Sequence, residues 1–72
     1  MNQPSPIPLT VNGTPREVPA ATTLDLVVSE LSASPGGVAA AVNEAVVPRS
    51  SWSATVLHPG DRVEILTAVQ GG

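Results

Sequence analysis

The two residues with the clearest chemical potential are the last two of the 72-residue sequence, Gly71 and Gly72. The rest of the inventory is thin. The chain has no cysteine and no lysine, so no side-chain thiol or amine is available as a nucleophile or as a carrier atom. One histidine, His58, precedes Pro59-Gly60 and is expected as an exposed turn residue. Alone it suggests no Ser-His-acid set, and without thiols it cannot build a zinc site. A carboxylate at the tip of a thin chain is a different matter. It is inert towards nucleophiles until one oxygen becomes a leaving group, and ATP achieves this through an acyl-adenylate. Glycine suits such a tip because it lacks a Cβ and lets another backbone or a nucleotide come close. The tail from Ala68 to Gly72 reaches roughly 17 Å at full extension, enough to enter a recessed site on another protein. The competing reading is an end without a role.

Composition narrows the classes. Six acids (Glu17, Asp25, Glu30, Glu44, Asp61, Glu64) stand against three bases (Arg16, Arg49, Arg62), a formal net charge of -3. With Trp52 as its one aromatic residue, the chain lacks both the basic field and the stacking platforms of nucleic-acid binding. No run is long or apolar enough to span a bilayer, and "MNQPSPIPL" has neither a basic nor an apolar leader region, so the cytoplasm is the expected compartment. A single domain of this size must rest on its aliphatic core, since disulfides and metal are unavailable.

The elements that would position the tail follow from periodicity. Residues 1–6 are expected to be a disordered lead-in, 7–67 the folded domain and 68–72 a flexible tail. Ile7, Leu9 and Val11 alternate with polar residues and Pro8, which should sit at the strand's start. Asn12-Gly13 signals a hairpin, with a short return strand over Arg16–Val18. Leu24, Val27, Val28 and Leu31 then lie on one helical face, predicting a helix over about 23–32. Thr22 or Thr23 would cap it, and Ser34-Pro35-Gly36-Gly37 would stop it. Val38–Val42 and Ala45–Val47 form two short strands around an Asn43-Glu44 turn, and "RSSWSATVL" an irregular link with Trp52 as a core plug. After Pro59-Gly60-Asp61, residues 62–67 form the last strand, which must return to the middle beside the first. This ββαββ order, a mixed sheet of four to five strands on one helix, is an α+β fold of the β-grasp type.

With Val63, Ile65 and Thr67 directed at the helix, Leu66 would face outwards as a docking contact for a partner.

On the thread "VN" before a hairpin, "TLDLVVSEL", "VAAAVNEAVVPRSSW", "GDRVEIL" and the terminal "AVQGG", the sequence resembles the sulfur carrier proteins of thiamine biosynthesis, which are ubiquitin-like β-grasp domains. The resemblance runs from Ile7 to Gly72. It implies a carrier, not an enzyme, with no bound cofactor or metal. An adenylyltransferase related to ubiquitin-activating enzymes would use ATP on the Gly72 carboxylate, with Gln70 and Gly71 threading the channel. Sulfur from a cysteine desulfurase would then give a thiocarboxylate that serves thiazole synthase. Leu66 would belong to an apolar docking patch. Arg49 would be a second docking residue or, equally, the partner of Asp61 or Glu64 in an ion pair. The alternatives are the small subunit of molybdopterin synthase, a ubiquitin-like protein modifier, and a binding module with an inert tail.

Overall fold

The structure is a computed structural model that describes residues 5–32 and 37–67. In chain order it contains β1 (Ile7–Val11), β2 (Thr14–Val18), α1 (Leu24–Leu31), β3 (Val38–Val42), β4 (Ala45–Val47), a 3-10 helix (Arg49–Ala54) and β5 (Arg62–Thr67). The five strands make one mixed sheet in the order β2-β1-β5-β3-β4. β5 runs parallel to β1 and antiparallel to β3, and the hairpins β1–β2 and β3–β4 lie on either side of it. With α1 on one face, this is the ubiquitin-like β-grasp fold.

Each hairpin turns where the sequence supplies an asparagine. Asn12 and Gly13 have φ of 51° and 82°, and Asn43 and Glu44 have 52° and 72°. Positive φ at both central residues is the type I′ turn, whose twist matches that of the flanking strands. Gly13 takes this conformation at little steric cost, whereas Glu44 must hold it with a Cβ. Pro8 is tolerated inside a central strand for a specific reason. Residues 10 and 12 donate their N–H groups to the carbonyls of Asp61 and Val63 on the neighbouring segment, but at Pro8 β5 has not yet begun. The Pro8 carbonyl instead accepts the N–H of Gly60, at 2.7 Å.

The core gathers Leu9, Val11 and Val18 from the first hairpin, Leu24, Val27 and Val28 from α1, Ala40 from β3, Val63 and Ile65 from β5, and Trp52 and Leu57 from the link. The largest fully buried side chains, such as Leu24 and Val28, each contribute about 1.5–3 kcal/mol of transfer free energy. Trp52 satisfies its indole N–H on the Val47 carbonyl at 2.9 Å, so its ring is buried without an orphaned donor. The link is thus ordered as a 3-10 helix, and beyond it the chain pins the start of α1. Leu24 donates its N–H to the Thr55 carbonyl and Leu57 to the Thr22 carbonyl, both at 2.9 Å, around a Thr23–Val56 bridge.

Several expectations need correction. Leu31 is 45% exposed, because it is the last helical residue and the core contacts of α1 end with Val28. Thr23 occupies the N-cap position, yet its hydroxyl donates to the Asp25 carboxylate and caps no backbone N–H. Thr22 donates its hydroxyl to the Pro19 carbonyl. β2 begins at Thr14, two residues before the expected start, since the two-residue turn lets pairing resume at once. Pro15 is accommodated because β2 is an edge strand. Thr67 is exposed. Of the helix stop signal, Ser34 to Gly36 lie outside the described residues, as do residues 1–4 of the lead-in.

Two stability changes follow. Val28→Ala, at a residue 1% exposed, should cost about 1–3 kcal/mol in denaturant unfolding. Glu44→Gly should have the opposite sign, raising stability by about 0.5–1 kcal/mol, because relief of the positive φ outweighs an exposed ion pair with Arg62. A loss of stability in Glu44→Gly would mean that the turn is not held as described.

Candidate functional site

Gln70, Gly71 and Gly72 lie outside the described residues, and the strand that precedes them is β5. The burial of β5 alternates strictly from Arg62 to Leu66. Val63 and Ile65 are buried against α1, and Arg62, Glu64 and Leu66 face the other way. Leu66 is 70% exposed, one residue before the strand ends at Thr67. An apolar side chain therefore stands on the uncovered face beside the point where the tail begins.

It is not alone there. Register places Leu66 opposite Ala39, and Ala41 between Glu64 and Val46. Val46 is 76% exposed. These residues, with Glu44, line a shallow apolar depression of about 280 Å³ on the open face of the sheet. The small Ala39 and Ala41 leave the floor low, while Leu66 and Val46 form its walls. Glu64 and Glu44 edge it, and Glu44 meets the Arg62 guanidinium at 3.5 Å, with both side chains exposed. Such an ion pair contributes little in water. The arrangement offers an apolar contact rimmed by acids and no nucleophile.

Arg49 is elsewhere. It opens the 3-10 helix and lines a separate groove with Asp25, Ser29, Trp52 and Ser53, on the side of the sheet that carries α1. The two expected docking residues, Leu66 and Arg49, are thus on opposite faces. Nor does Arg49 pair with Asp61 or Glu64. Among the described residues the ion pairs are Arg16–Glu30 and Arg62–Glu44, and the His58 Nδ1 lies 3.9 Å from the Asp61 carboxylate. Asp61 is buried and engaged otherwise, accepting from the Asn43 carboxamide at 3.0 Å and from the His58 backbone N–H at 2.8 Å. His58 itself is exposed in the turn. Among the described residues no group of three or more His, Cys, Asp or Glu side chains could hold a metal ion, and no helix is long and apolar enough to cross a membrane.

The sequence reading missed what fixes β5. Val11 and Val42 flank Val63 from its two sides, and the asparagine after each reaches across to the strand. Asn12 accepts the Ile65 N–H at 2.8 Å and donates to the Ile65 carbonyl at 3.2 Å. Asn43 accepts the Arg62 N–H at 2.9 Å. The one local signal was the repeat of Val-Asn at both hairpin turns.

Known proteins place this arrangement. The model of the ThiS family matches residues 9–72. A thiazole synthase of Magnetococcus marinus is 37% identical over 62 residues, which is 86% of this chain and 19% of that protein. A thiazole synthase of Paramagnetospirillum magneticum is 33% identical over 64 residues, 89% of this chain and 20% of that protein. The chain therefore spans about one-fifth of the length of these curated relatives. The crystal structure of a thiamine biosynthesis protein (ThiS) from Geobacter metallireducens superposes with a TM-score of 0.77 at 33% identity, covering 92% of this chain and 100% of that one.

The opposed faces of β5 can be tested by charge. Leu66→Asp should cost no more than about 1 kcal/mol, as for other exposed strand positions. Val63→Asp should prevent folding, because it buries an unpaired carboxylate at a residue 1% exposed. Circular dichroism melts of the pair decide the point, and unfolding of Leu66→Asp would place Leu66 in the core.

Proposed function

The chain belongs to the ThiS family, and from that premise we propose that it is a sulfur carrier of thiamine biosynthesis whose working group is the carboxylate of Gly72. The observation that carries this reading is the family match itself, which runs through Gly71-Gly72 and covers nearly the whole chain. The site agrees with it. A chain with no cysteine or lysine has no side chain suited to carrying sulfur, and β5, the strand that precedes the tail in sequence, lines an apolar patch suited to docking.

The chemistry takes two steps on a partner. A Gly72 carboxylate oxygen attacks the α-phosphorus of ATP on an adenylyltransferase, pyrophosphate leaves, and the acyl-adenylate forms. A persulfide originating from a cysteine desulfurase then attacks the acyl carbon through its outer sulfur, and AMP departs. A thiol reduces the remaining S–S bond and leaves the thiocarboxylate. The carrier contributes no acid or base to these steps. It supplies a thin, Cβ-free tip at Gly71-Gly72, with Gln70 behind it, and a rigid domain that stays outside the channel. Thiazole synthase is the proposed acceptor of the sulfur. Support comes from the relatives of that name, in which a segment similar to this chain shares one polypeptide with about four-fifths of other sequence.

Removal of Gly72 should abolish thiocarboxylate formation, since the carboxylate then falls roughly 3.5 Å short of the activating site. Gly71→Val should impair it, because a β-branched side chain stiffens and widens the thread. Both variants should melt within a degree or two of the parent, as the buried core residues run from Leu9 to Ile65. Intact mass after incubation with the adenylyltransferase, ATP and the sulfur donor reads the oxygen-to-sulfur exchange. Normal loading of the Gly72-deleted chain would overturn the carrier reading.

A further inference from the structure

We infer that Asn12 is a positioning residue for the carrier reaction: its carboxamide fixes the root of the tail. The inference rests on the carrier reading above. The geometry behind it is a matter of backbone accounting. β1 pairs with β5 only at Thr10–Arg62 and Val11–Val63, because the chain turns away at Asn12. Two residues further along β5, the N–H and C=O of Ile65 face this side and, among the described residues, have no strand to meet. The Asn12 side chain is itself an amide, and it takes the place of the missing peptide with bonds of 2.8 Å and 3.2 Å. The Ile65 carbonyl belongs to the peptide group that leads into Leu66. Holding it therefore sets the direction of Leu66 on the docking face and of Thr67, from which the tail departs.

A fixed root matters because entry of the tail into a partner's site costs chain entropy, and every residue already ordered lowers that cost. Release of Ile65 would uncouple the docking patch from the tail. The penalty would fall on binding of the carrier, not on the chemistry at the tip.

The structure contains its own control. Asn43 grips the opposite end of β5, through the Arg62 N–H at 2.9 Å and the Asp61 carboxylate at 3.0 Å. Both asparagines sit at positive φ, 51° and 52°, where glycine fits without strain. Asn12→Gly and Asn43→Gly therefore each remove a carboxamide clamp from the same strand and keep the turn. If the clamps serve only stability, the two variants should behave alike.

The test is steady-state pyrophosphate release with the adenylyltransferase and ATP, at a temperature where both variants are folded, together with amide hydrogen exchange. Asn12→Gly should raise KM for the carrier about tenfold at unchanged kcat, the factor carried by loss of one or two ordinary hydrogen bonds. Exchange at Ile65 and Leu66 should quicken by a similar factor relative to the β1 amides. Asn43→Gly should leave KM within about twofold of the parent. Equal KM changes in the two variants, or none in Asn12→Gly, overturn the role. Should Asn12→Gly not fold, Asn12→Asp keeps an acceptor for the Ile65 N–H but no donor for its carbonyl, and should shift KM in the same direction by less. A parent chain that is never adenylated overturns the carrier reading and this role with it, whereas normal parent loading with an unmoved Asn12→Gly overturns the role alone.

Discussion

A central strand must find partners for its backbone groups on both sides, and in this molecule β5 meets that demand with two strands and two side chains. β3 pairs with it over Arg62's successor Val63 through to Thr67, but β1 reaches only to Val63. Buried peptide groups left without partners would each cost about as much as a lost hydrogen bond or more. The carboxamides of Asn12 and Asn43 complete the ladder where the hairpins turn away. Everything else hangs on this strand. The two hairpins share no ladder with each other, α1 packs over Val63 and Ile65, and the link closes on the start of α1 through Thr55 and Leu57.

The same strand divides the molecule into a face that folds it and a face that α1 leaves uncovered. Alternation along β5 sends Val63 and Ile65 into the core and Glu64 and Leu66 out of it. The outer face gains its shallow depression from Ala39 and Ala41, whose methyl groups cannot fill the space between Leu66 and Val46. On the carrier reading proposed for this member of the ThiS family, recognition and chemistry would be kept apart: the domain would offer shape and an acidic rim, and the Gly72 carboxylate the reactive atom.

Much of this was legible in the sequence, and the failures share a physical cause. β5 was read to the residue, because Pro59-Gly60-Asp61 punctuates its start and its alternation is unbroken. The Asn12-Gly13 and Asn43-Glu44 turns were equally clear, since positive φ favours such residues. Periodicity placed Leu24, Val27 and Val28 correctly but extended the same face to Leu31, because a repeat carries no information about where the covered area stops. The 3-10 helix gave no apolar period to detect, although Trp52 marked it as a core anchor. Leu57 was overlooked in a segment that looked irregular. The tail-side clamp was out of reach in principle. Asn12 and Ile65 are 53 residues apart, and no local pattern announces that a turn side chain will replace a strand. Arg49 and Leu66 were grouped by resemblance, and only the topology shows that they occupy opposite faces.

The position of β5 also dictates the order in which the molecule can assemble. The first hairpin and the second are local structures, each closed by a two-residue turn, and each can form early. Neither can join the other until the strand between them has been made, and that strand comes after both in the chain. The contacts that seal the sheet bridge up to 53 residues and carry the entropy of closing that loop. A nascent chain that has emerged only as far as Pro59 therefore holds two hairpins that share no strand ladder, and they enter one sheet only when the last strand slots between them.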